Sequence, residues 1–513
     1  MRKLLVYLLI LPLFSCDDFL TVESENDVTF VNYFKTESDV ELVVIDMMAA
    51  ELQLWGLMTY SNLSFLDLAA LPCDEYENEN VRNLNVGVFT DPAKMESWGG
   101  YYALIGKADV LLENASRFTG ITDERKEFWL AQACFMKAFA YFEIARKWGD
   151  APISSGAEAK DPLAKSPAKE VLETAIQYAE KALVLPQYDQ LTDSYGNSLT
   201  SKQYASSGTV KTLLANIYAW MGGLYKEKTY WEKAEQYASD VIEGKCGAYR
   251  LEPDIAALKA RTLGEGRESD ETIFAIEVTS KDYEYEGNSY MPMYLYPSIL
   301  LCTYPYFSLL PSDIDGPGVG YTRISVETVE DMYPEEEDVR RDSFWYHLGT
   351  QTLYEDDDTP SPWAYFVKWN KVITSVAVGN EGKIISVEGN KVIWRLADLK
   401  LLRAECRTRL NMPNAVEDLN DVRERAGLEK YDGPTGSEVL REEVFNERER
   451  ELFGEGQRYF DIVRNGYLNR LSLAYSMLTR EEIDRGALYL PVGENAFVNN
   501  ELMTQNSYWL WKK

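Results

Sequence analysis

The stretch DERKEFWLAQACFMKAFAYFEIARKW, Asp123 to Trp148, decides the fold class. Its apolar residues recur at steps of three and four, which is the spacing of one face of an α-helix. Gly149, Asp150 and Pro152 follow at once and predict the end of that helix. The stretch therefore predicts a long amphipathic helix in a mostly α-helical protein.

Helical patterns continue downstream of this stretch. Ser166 and Pro167 supply an N-cap and a first helical residue, and that helix should end before Pro186. Two adjacent patterns follow, GTVKTLLANIYAWMGGLY (208–225) and YWEKAEQYASDVIEG (230–244). Their small and aromatic residues resemble the packing positions of a tetratricopeptide unit: Ala215, Tyr218, Ala234 and Ala238.

A further helix pair is predicted near the C-terminus, in RLADLKLLRAECRTRLNMPNAVEDLNDVRERAGL (395–428). One apolar face of this pair should contain five residues: Leu402, Ala404, Ala415, Leu419 and Val422. Between the two helical regions lie short β-branched runs, TIFAIEV (272–278) and KVITSVAV (371–378), with Gly-Pro turns and acid-rich loops. We therefore expect helical repeats on both sides of an irregular, loop-rich insertion with short strands.

The N-terminus has the pattern of a secretory signal. Eleven apolar residues, Leu4 to Phe14, follow Arg2 and Lys3, and Ser15 leads into Cys16. This arrangement resembles a bacterial lipoprotein signal, in which Cys16 becomes the lipidated first residue. The predicted organisation is a signal peptide (1–15), a lipidated tether (16–40), a helical-repeat region (41–250), an irregular Tyr-rich ligand-binding region (251–390) and a C-terminal helical pair with its closing segment (391–513).

Charge and cysteine content exclude several classes of partner. The chain has 83 Asp and Glu against 52 Lys and Arg, a net charge of −31, which repels nucleic acid and anionic membrane surfaces. Five cysteines remain after Cys16, without CxxC or metal-ligand spacing. Cys134 and Cys406 lie in apolar helical runs and are predicted to be buried thiols.

Signals for catalysis are missing from the sequence. The single histidine, His347, has no second ligand at metal spacing, and GPGVG (316–320) lacks the context of a dinucleotide site. Paired carboxylates for glycoside hydrolysis cannot be recognised from sequence alone. We expect no enzyme activity and no cofactor.

Tyrosine is concentrated in YEYEGNSYMPMYLYPSILLCTYPYF (283–307), with seven tyrosines in 25 positions against 34 in 513 overall. A tyrosine offers a flat apolar face and a hydroxyl, which match the C–H face and hydroxyl rim of a sugar ring. The alternative is that these rings pack the insertion onto the helices. The first candidates for a sugar platform are Tyr283, Tyr285, Tyr290, Tyr294 and Tyr296.

A polar loop, LPCDEYENENVRNLN (71–85), is the second candidate, because Asp74, Tyr76, Arg82 and Asn83 can hydrogen-bond sugar hydroxyls. Its alternative is a plain solvated loop. Trp98, which begins the next helical run, is assigned a packing role.

Several segments together resemble the SusD/RagB family of outer-membrane nutrient-uptake lipoproteins. They include FMKAFAYFEIARKWGDAPI (135–153), NERERELFGEGQRYFDIVRNG (446–466) and the ending LYLPVGENAFVNNELMTQNSYW (488–509). Within the second segment, helical spacing favours structural ion pairs of Glu447 with Arg450 and of Arg448 with Glu451 or Glu455.

The resemblance implies a mostly helical fold with about four tetratricopeptide-like units that support the irregular region. It also implies anchoring at the cell surface by lipid, with Asp17 and Asp18 similar to a surface-export signal. It also implies capture of oligosaccharides, or in some members peptides, and a role as the lid of a SusC-like TonB-dependent outer-membrane transporter. Two other hypotheses stay open at this point: a surface lipoprotein glycoside hydrolase, and a helical scaffold that binds only proteins.

The lipid anchor can be tested directly. Replacing Cys16→Ala should give a folded protein that leaves the membrane fraction, because stable anchoring needs the two or three acyl chains of a processed lipoprotein. Fractionation in high salt, in cells lacking the partner transporter, measures this. Continued membrane retention of the variant would contradict the lipid anchor.

Overall fold

The protein is described by a computed structural model over residues 33–57, 73, 97–159, 161–265, 268–277, 324–352, 358–369, 372–374, 384–387, 389–471 and 476–510. In the described part of the N-terminal half there are six long helices, numbered in chain order: α1 Glu37–Leu57, α2 Gly99–Glu113, α3 Asp123–Trp148, α4 Ala168–Lys181, α5 Ser207–Tyr225 and α6 Lys228–Ile242.

The second half mixes strands and helices. Its strands are β1 Thr272–Ile276, β2 Val372–Thr374, β3 Ile384–Val387 and β4 Lys391–Arg395. Among the described residues, the α-helices of at least five residues are α7 Val326–Met332, α8 Arg340–Phe344, α9 Leu396–Leu410, α10 Ala415–Arg425, α11 Ser437–Leu452, α12 Arg458–Asn465 and α13 Arg480–Asp484, and a π-helix, Leu258–Glu265, precedes β1. The predicted mostly helical fold is confirmed, while the number of repeat units and the boundaries of the regions stay predictions.

Helix α3 has the bounds that the sequence predicts, and local signals explain them. Thr122 caps its first turn by accepting a hydrogen bond from the Arg125 N–H at 3.3 Å. Gly149 ends the helix at φ 74°, in the left-handed region that favours glycine. Almost all of α3 after Phe128 is buried among α1, α2 and α4. This helix is therefore the centre of the main hydrophobic core.

Two predictions at the N-terminal side have clear outcomes. Residues 37–40, assigned to the tether, form the first turn of α1, because Val40 is an apolar position that α1 buries completely. Trp98 is buried and packs against Tyr102 and Trp148, which confirms its packing role.

Helices α5 and α6 form a hairpin joined by only two residues. Lys226 adopts a left-handed conformation (φ 60°) and Glu227 precedes α6. Gly223 in α5 permits a close contact with α12, because a Cβ at this position would lie 2.6 Å from the carbonyl oxygen of Arg464. Gly223 thus allows α12 to pack closely on α5.

The strands form two antiparallel pairs, β1 with β4 and β2 with β3. Both predicted strand runs are confirmed by β1 and β2. The β1–β4 pair is fully buried and leads directly into α9. It therefore connects the start of the insertion to the C-terminal helices.

Helices α9, α10 and α11 enclose a second, smaller hydrophobic cluster. Ala404, Ala415, Leu419 and Val422 belong to it as predicted, but Leu402 does not. Leu402 belongs instead to the main core, because neighbouring residues of α9 face different clusters. The prediction that Leu402 shares one apolar face with the other four residues was therefore wrong. Cys134 and Cys406 are confirmed as buried free thiols.

A row of three buried carboxylates, Glu447, Glu451 and Glu455, extends along α11 and just beyond its end. Basic side chains from four other segments converge on this row. Arg340 of α8 contacts Glu447 at 2.7 Å and Glu451 at 3.1 Å. The remaining partners are Arg395, Arg425 and Lys368. We call these seven residues the ion cluster.

The ion cluster balances the cost of burying charge. Burial alone would raise the pKa of Glu451, but Arg425, Arg395 and Arg340 hold it well below its ordinary value. Burial would also raise the pKa of Glu455, but the positive charges of Arg395 and Lys368 outweigh burial and lower this pKa to about 2. Because these pKa values are depressed, the cluster stabilises the fold above pH ~4.5, and the stabilisation is lost as pH falls toward 2.

The charged motif of α11 was predicted only in part. Glu447 does pair with Arg450, at 2.8 Å. Arg448 pairs with neither Glu451 nor Glu455, so that prediction was wrong: its guanidinium contacts Asp398 and Asp461, each at 2.8 Å. Helical spacing identifies neighbours on the same helix only, whereas buried arginines bind carboxylates brought by other segments.

The ion cluster predicts a large cost for removing one of its charges. Glu451→Gln should lower the free energy of unfolding by about 3–5 kcal/mol, because it leaves buried guanidinium groups without their counter-ion. Urea denaturation of the mature chain measures this. The control is Asp484→Asn, which removes an exposed pair with Arg480 and should cost less than about 1 kcal/mol. Equal effects of both variants would contradict a structural role for the cluster.

A second prediction concerns Glu51 in α1. Burial, and then the nearby Glu143, raise the pKa of Glu51 to about 8. The folded state therefore holds a proton that the unfolded chain releases, and stability falls as pH rises from about 4.5 to 8. The stability difference between Glu51→Gln and the wild type should change in favour of the variant by about 1.4 kcal/mol per pH unit in this window. A difference independent of pH, measured by urea denaturation, would contradict this account.

Candidate functional site

All sequence-predicted site residues lie outside the described residues, so the structure neither places nor separates them. They are the lipidation residue Cys16 and the ligand-binding candidates Asp74, Tyr76, Arg82, Asn83, Tyr283, Tyr285, Tyr290, Tyr294 and Tyr296. Cys73 directly precedes the polar loop, and Ile324 is the first described residue after the Tyr-rich segment, beyond residues 308–323.

The polar loop begins at a fixed point. Cys73, immediately before Asp74, is buried and forms an antiparallel bridge with Leu471. Leu471 directly follows a 3₁₀ turn, Leu468–Arg470. The start of the predicted loop is therefore held beside Arg470.

The Tyr-rich segment is followed by α7. Ile324 is buried, and its carbonyl accepts a hydrogen bond from the Ala364 N–H at 2.9 Å. Ser325 caps α7 by accepting a hydrogen bond from the Thr328 N–H at 3.0 Å. Where the described chain resumes after the Tyr-rich segment, it therefore begins with a well-anchored short helix.

A surface cavity of about 390 Å³ lies between α7, α11 and the turn that ends at Arg470. Ligand sites for small molecules commonly start at about this size. Thr328, Asp331, Met332 and the following Pro334 line one side. The other side is formed by α11 and the turn: Glu443, Asn446, Glu449, Arg450 and Arg470.

Some of the charges that line this cavity are already paired. Arg450, nearly buried, contacts Glu443 at 2.5 Å and Glu447 at 2.8 Å. Glu449 pairs with Arg458 at 2.9 Å. These pairs fix the cavity wall on α11.

Other polar side chains in the cavity are free. Within the described part of the chain, Asp331, Asn446 and Arg470 make no side-chain hydrogen bond or ion pair. They offer a carboxylate acceptor, an amide and a guanidinium donor. The cavity is therefore equipped to hydrogen-bond a polar ligand with both donors and acceptors.

The described residues contain no group of three His, Cys, Asp or Glu side chains placed to hold a metal ion. They also contain no helix that is both long and apolar enough to cross a membrane. The many buried carboxylates of α11 are bound to arginine or lysine, so they form part of the structure rather than an exposed acid pair.

Comparison with known proteins identifies the family. A model described as "SusD family" matches residues 270–509, and one described as "Starch-binding associating with outer membrane" matches residues 18–195. The chain belongs to the SusD/RagB family. The second model's description associates this family with the outer membrane and with starch binding.

Individual members of the SusD/RagB family align with this chain over three quarters of its length or more. A SusD-like protein of Formosa agariphila is 23% identical and covers 96% of this chain and 95% of its own length. The starch-binding protein SusD of Bacteroides thetaiotaomicron is 24% identical over 77% of this chain and 75% of its own. A crystal structure of a SusD homolog from the same species has a TM-score of 0.73, with 24% identity, 93% coverage of this chain and 99% of its own.

Sequence reasoning missed the residues of this cavity. Asn446 and Arg450 lie within the quoted segment NERERELF, but there they were considered only as family markers and ion pairs. Asp331 and Arg470 are isolated in sequence from every motif. A helical projection of α11 would have separated its outer residues, Glu443, Asn446 and Arg450, from Glu451, but nothing local indicates what faces them.

Proposed function

We propose that this SusD/RagB-family chain is a non-catalytic glycan-binding lipoprotein. It captures oligosaccharides at the cell surface and acts as the lid of a SusC-like TonB-dependent importer in the outer membrane. Lipid on Cys16 holds it there. Family membership supports the general role, since one family model and one relative are described as starch-binding.

One observation supports the position of the binding surface. The polar loop follows Cys73 directly, and Ile324 is the first described residue after the Tyr-rich segment, with residues 308–323 between them; the chain beside Cys73's bridge partner and beside Ile324 borders the same polar cavity. Arg470 is adjacent to Leu471, the bridge partner of Cys73, and α7 begins two residues after Ile324. We therefore propose a binding surface formed by the Tyr-rich segment, the polar loop and this cavity.

The chemistry of such a surface suits sugars. Exposed tyrosine rings would stack on the C–H faces of pyranose rings, and Asp74, Arg82 and Asn83 would bind hydroxyl groups. No single contact need dominate, because each aromatic contact contributes about 0.5–1.5 kcal/mol. Several together give a modest affinity suited to capture and release.

Hydrolysis is disfavoured at the described cavity. A glycosidase needs one carboxylic acid and one free carboxylate across the scissile bond. Glu443 and Glu449 are each engaged by an arginine, which leaves Asp331 as the free carboxylate among the described lining residues. A peptide ligand remains the alternative within the same uptake role.

The proposal is tested by substitution and calorimetry with a panel of oligosaccharides. Alanine at each of Tyr283, Tyr285, Tyr290, Tyr294 and Tyr296 should weaken binding by roughly two- to tenfold and leave the melting temperature nearly unchanged. Asp74, Arg82 and Asn83 are the next to be replaced. Unchanged affinity in all eight stably folded variants would refute this placement, and turnover abolished by a single carboxylate substitution would refute the binding-only role.

A further inference from the structure

The ion cluster and the cavity meet at Arg450. Its Nε and Nη2 donate to Glu447 Oε2 at 3.0 and 2.8 Å, and Nη2 also donates to Glu443 Oε1 at 2.5 Å. Its Nη1 has no hydrogen-bond partner among the described residues. Two nitrogens of this nearly buried guanidinium are thus held, and Arg450 is one of the residues that line the cavity.

Glu447 is itself held in place by Arg340. It is fully buried, and Arg340 Nη1 donates to Glu447 Oε1 at 2.7 Å. Arg340 is in turn held by Asp338, with Nη2 2.7 Å from Asp338 Oδ2. A continuous series of charge-assisted hydrogen bonds therefore extends from the core to the cavity wall, and such bonds are the strong, directional ones.

The charges around the cavity limit what it can bind. Glu443 is neutralised by Arg450, and Glu449 by Arg458. Among the described lining residues, the two charges left free have opposite signs, on Asp331 and Arg470. These residues provide no surplus positive charge for an anionic ligand, and the chain as a whole carries −31.

Uncharged, hydroxyl-rich molecules meet these conditions. Each hydroxyl both donates and accepts, so it can bind a guanidinium N–H and a carboxylate oxygen together. Met332 and Pro334 add apolar surface for the C–H groups of a sugar. A ligand carboxylate or sulfate would instead face three carboxylates in the lining.

We propose that this cavity is a subsite for one uncharged sugar unit, with Arg450 and Arg470 donating hydrogen bonds to it, Asp331 accepting them, and Glu447 acting as the positioning residue for Arg450. The proposal rests on the glycan-binding function proposed above. It adds the class of sugar and four residues that the sequence analysis did not assign to ligand binding.

The class of sugar is tested by calorimetry on the mature chain with two sets of probes. One set contains neutral gluco-, manno-, galacto- and xylo-oligosaccharides, and the other contains oligogalacturonates and oligomannuronates. We expect binding to at least one neutral probe and at least tenfold weaker binding of the uronates. Tighter binding of a uronate would overturn the proposal and leave glycan capture standing, whereas no binding to either set would contradict both.

The residues are tested with the best neutral probe. Arg470→Met should weaken binding about tenfold, the effect of losing one charged donor, without changing the urea midpoint. The control is Arg480→Met, the same substitution at an exposed arginine of α13 outside the cavity lining, which should change neither. Equal affinity of the Arg470 variant and the wild type would overturn the subsite.

The positioning role of Glu447 is tested by a double-mutant cycle with Arg450. Glu447→Gln and Arg450→Met should each weaken binding, and together they should weaken it no more than Arg450→Met alone. Folding is checked for every variant by its urea midpoint, and Glu447→Asp should restore part of the affinity. Independent, multiplicative losses would show that Glu447 acts only through general stability and would overturn its assigned role.

Discussion

The structure of the C-terminal half depends on the burial of three carboxylates, Glu447 and Glu451 on α11 and Glu455 just beyond its end. A buried carboxylate is tolerated only with compensating positive charge and hydrogen bonds. That requirement fixes the positions of α8, the segment at Lys368, β4 and α10, since each must bring a cation to the row. Glu271, just before β1, completes the arrangement by pairing with Arg395 and Arg425. Much of the insertion that carries no long helix is therefore held to the frame by charge as well as by apolar packing.

The same helix connects this interior to the surface proposed for ligand binding. Its inner residues belong to the ion cluster, while its outer residues line the cavity beside α7. A binding surface that must hold several weak contacts at once benefits from a rigid support, because less conformational freedom is lost when the ligand binds. The ion cluster supplies that support. A segment rich in buried Glu and Arg thus has a structural role that fits the proposed binding function.

Local features of the fold could be predicted from the sequence, and features that depend on distant segments could not. The bounds of α3 follow from its apolar period and from Thr122 and Gly149, all within one helix. The partners of Arg448 could not be predicted, because Asp398 lies 50 residues away in the chain. The cavity was missed for the same reason, since Asp331, Asn446 and Arg470 come from three separate segments. The tyrosines and the polar loop were chosen by composition, and they remain predictions because the described residues include none of them.

Native-state hydrogen exchange of the mature chain tests the central claim most directly. If the ion cluster joins these segments into one unit, the slowest amides of α8, β4, α10 and α11 should exchange with the same opening free energy, close to that of global unfolding. They should also lose protection together in Glu451→Gln. Exchange of α8 at a clearly lower free energy than α11, unchanged by that substitution, would show that the insertion is held independently of the ion cluster and would contradict the account.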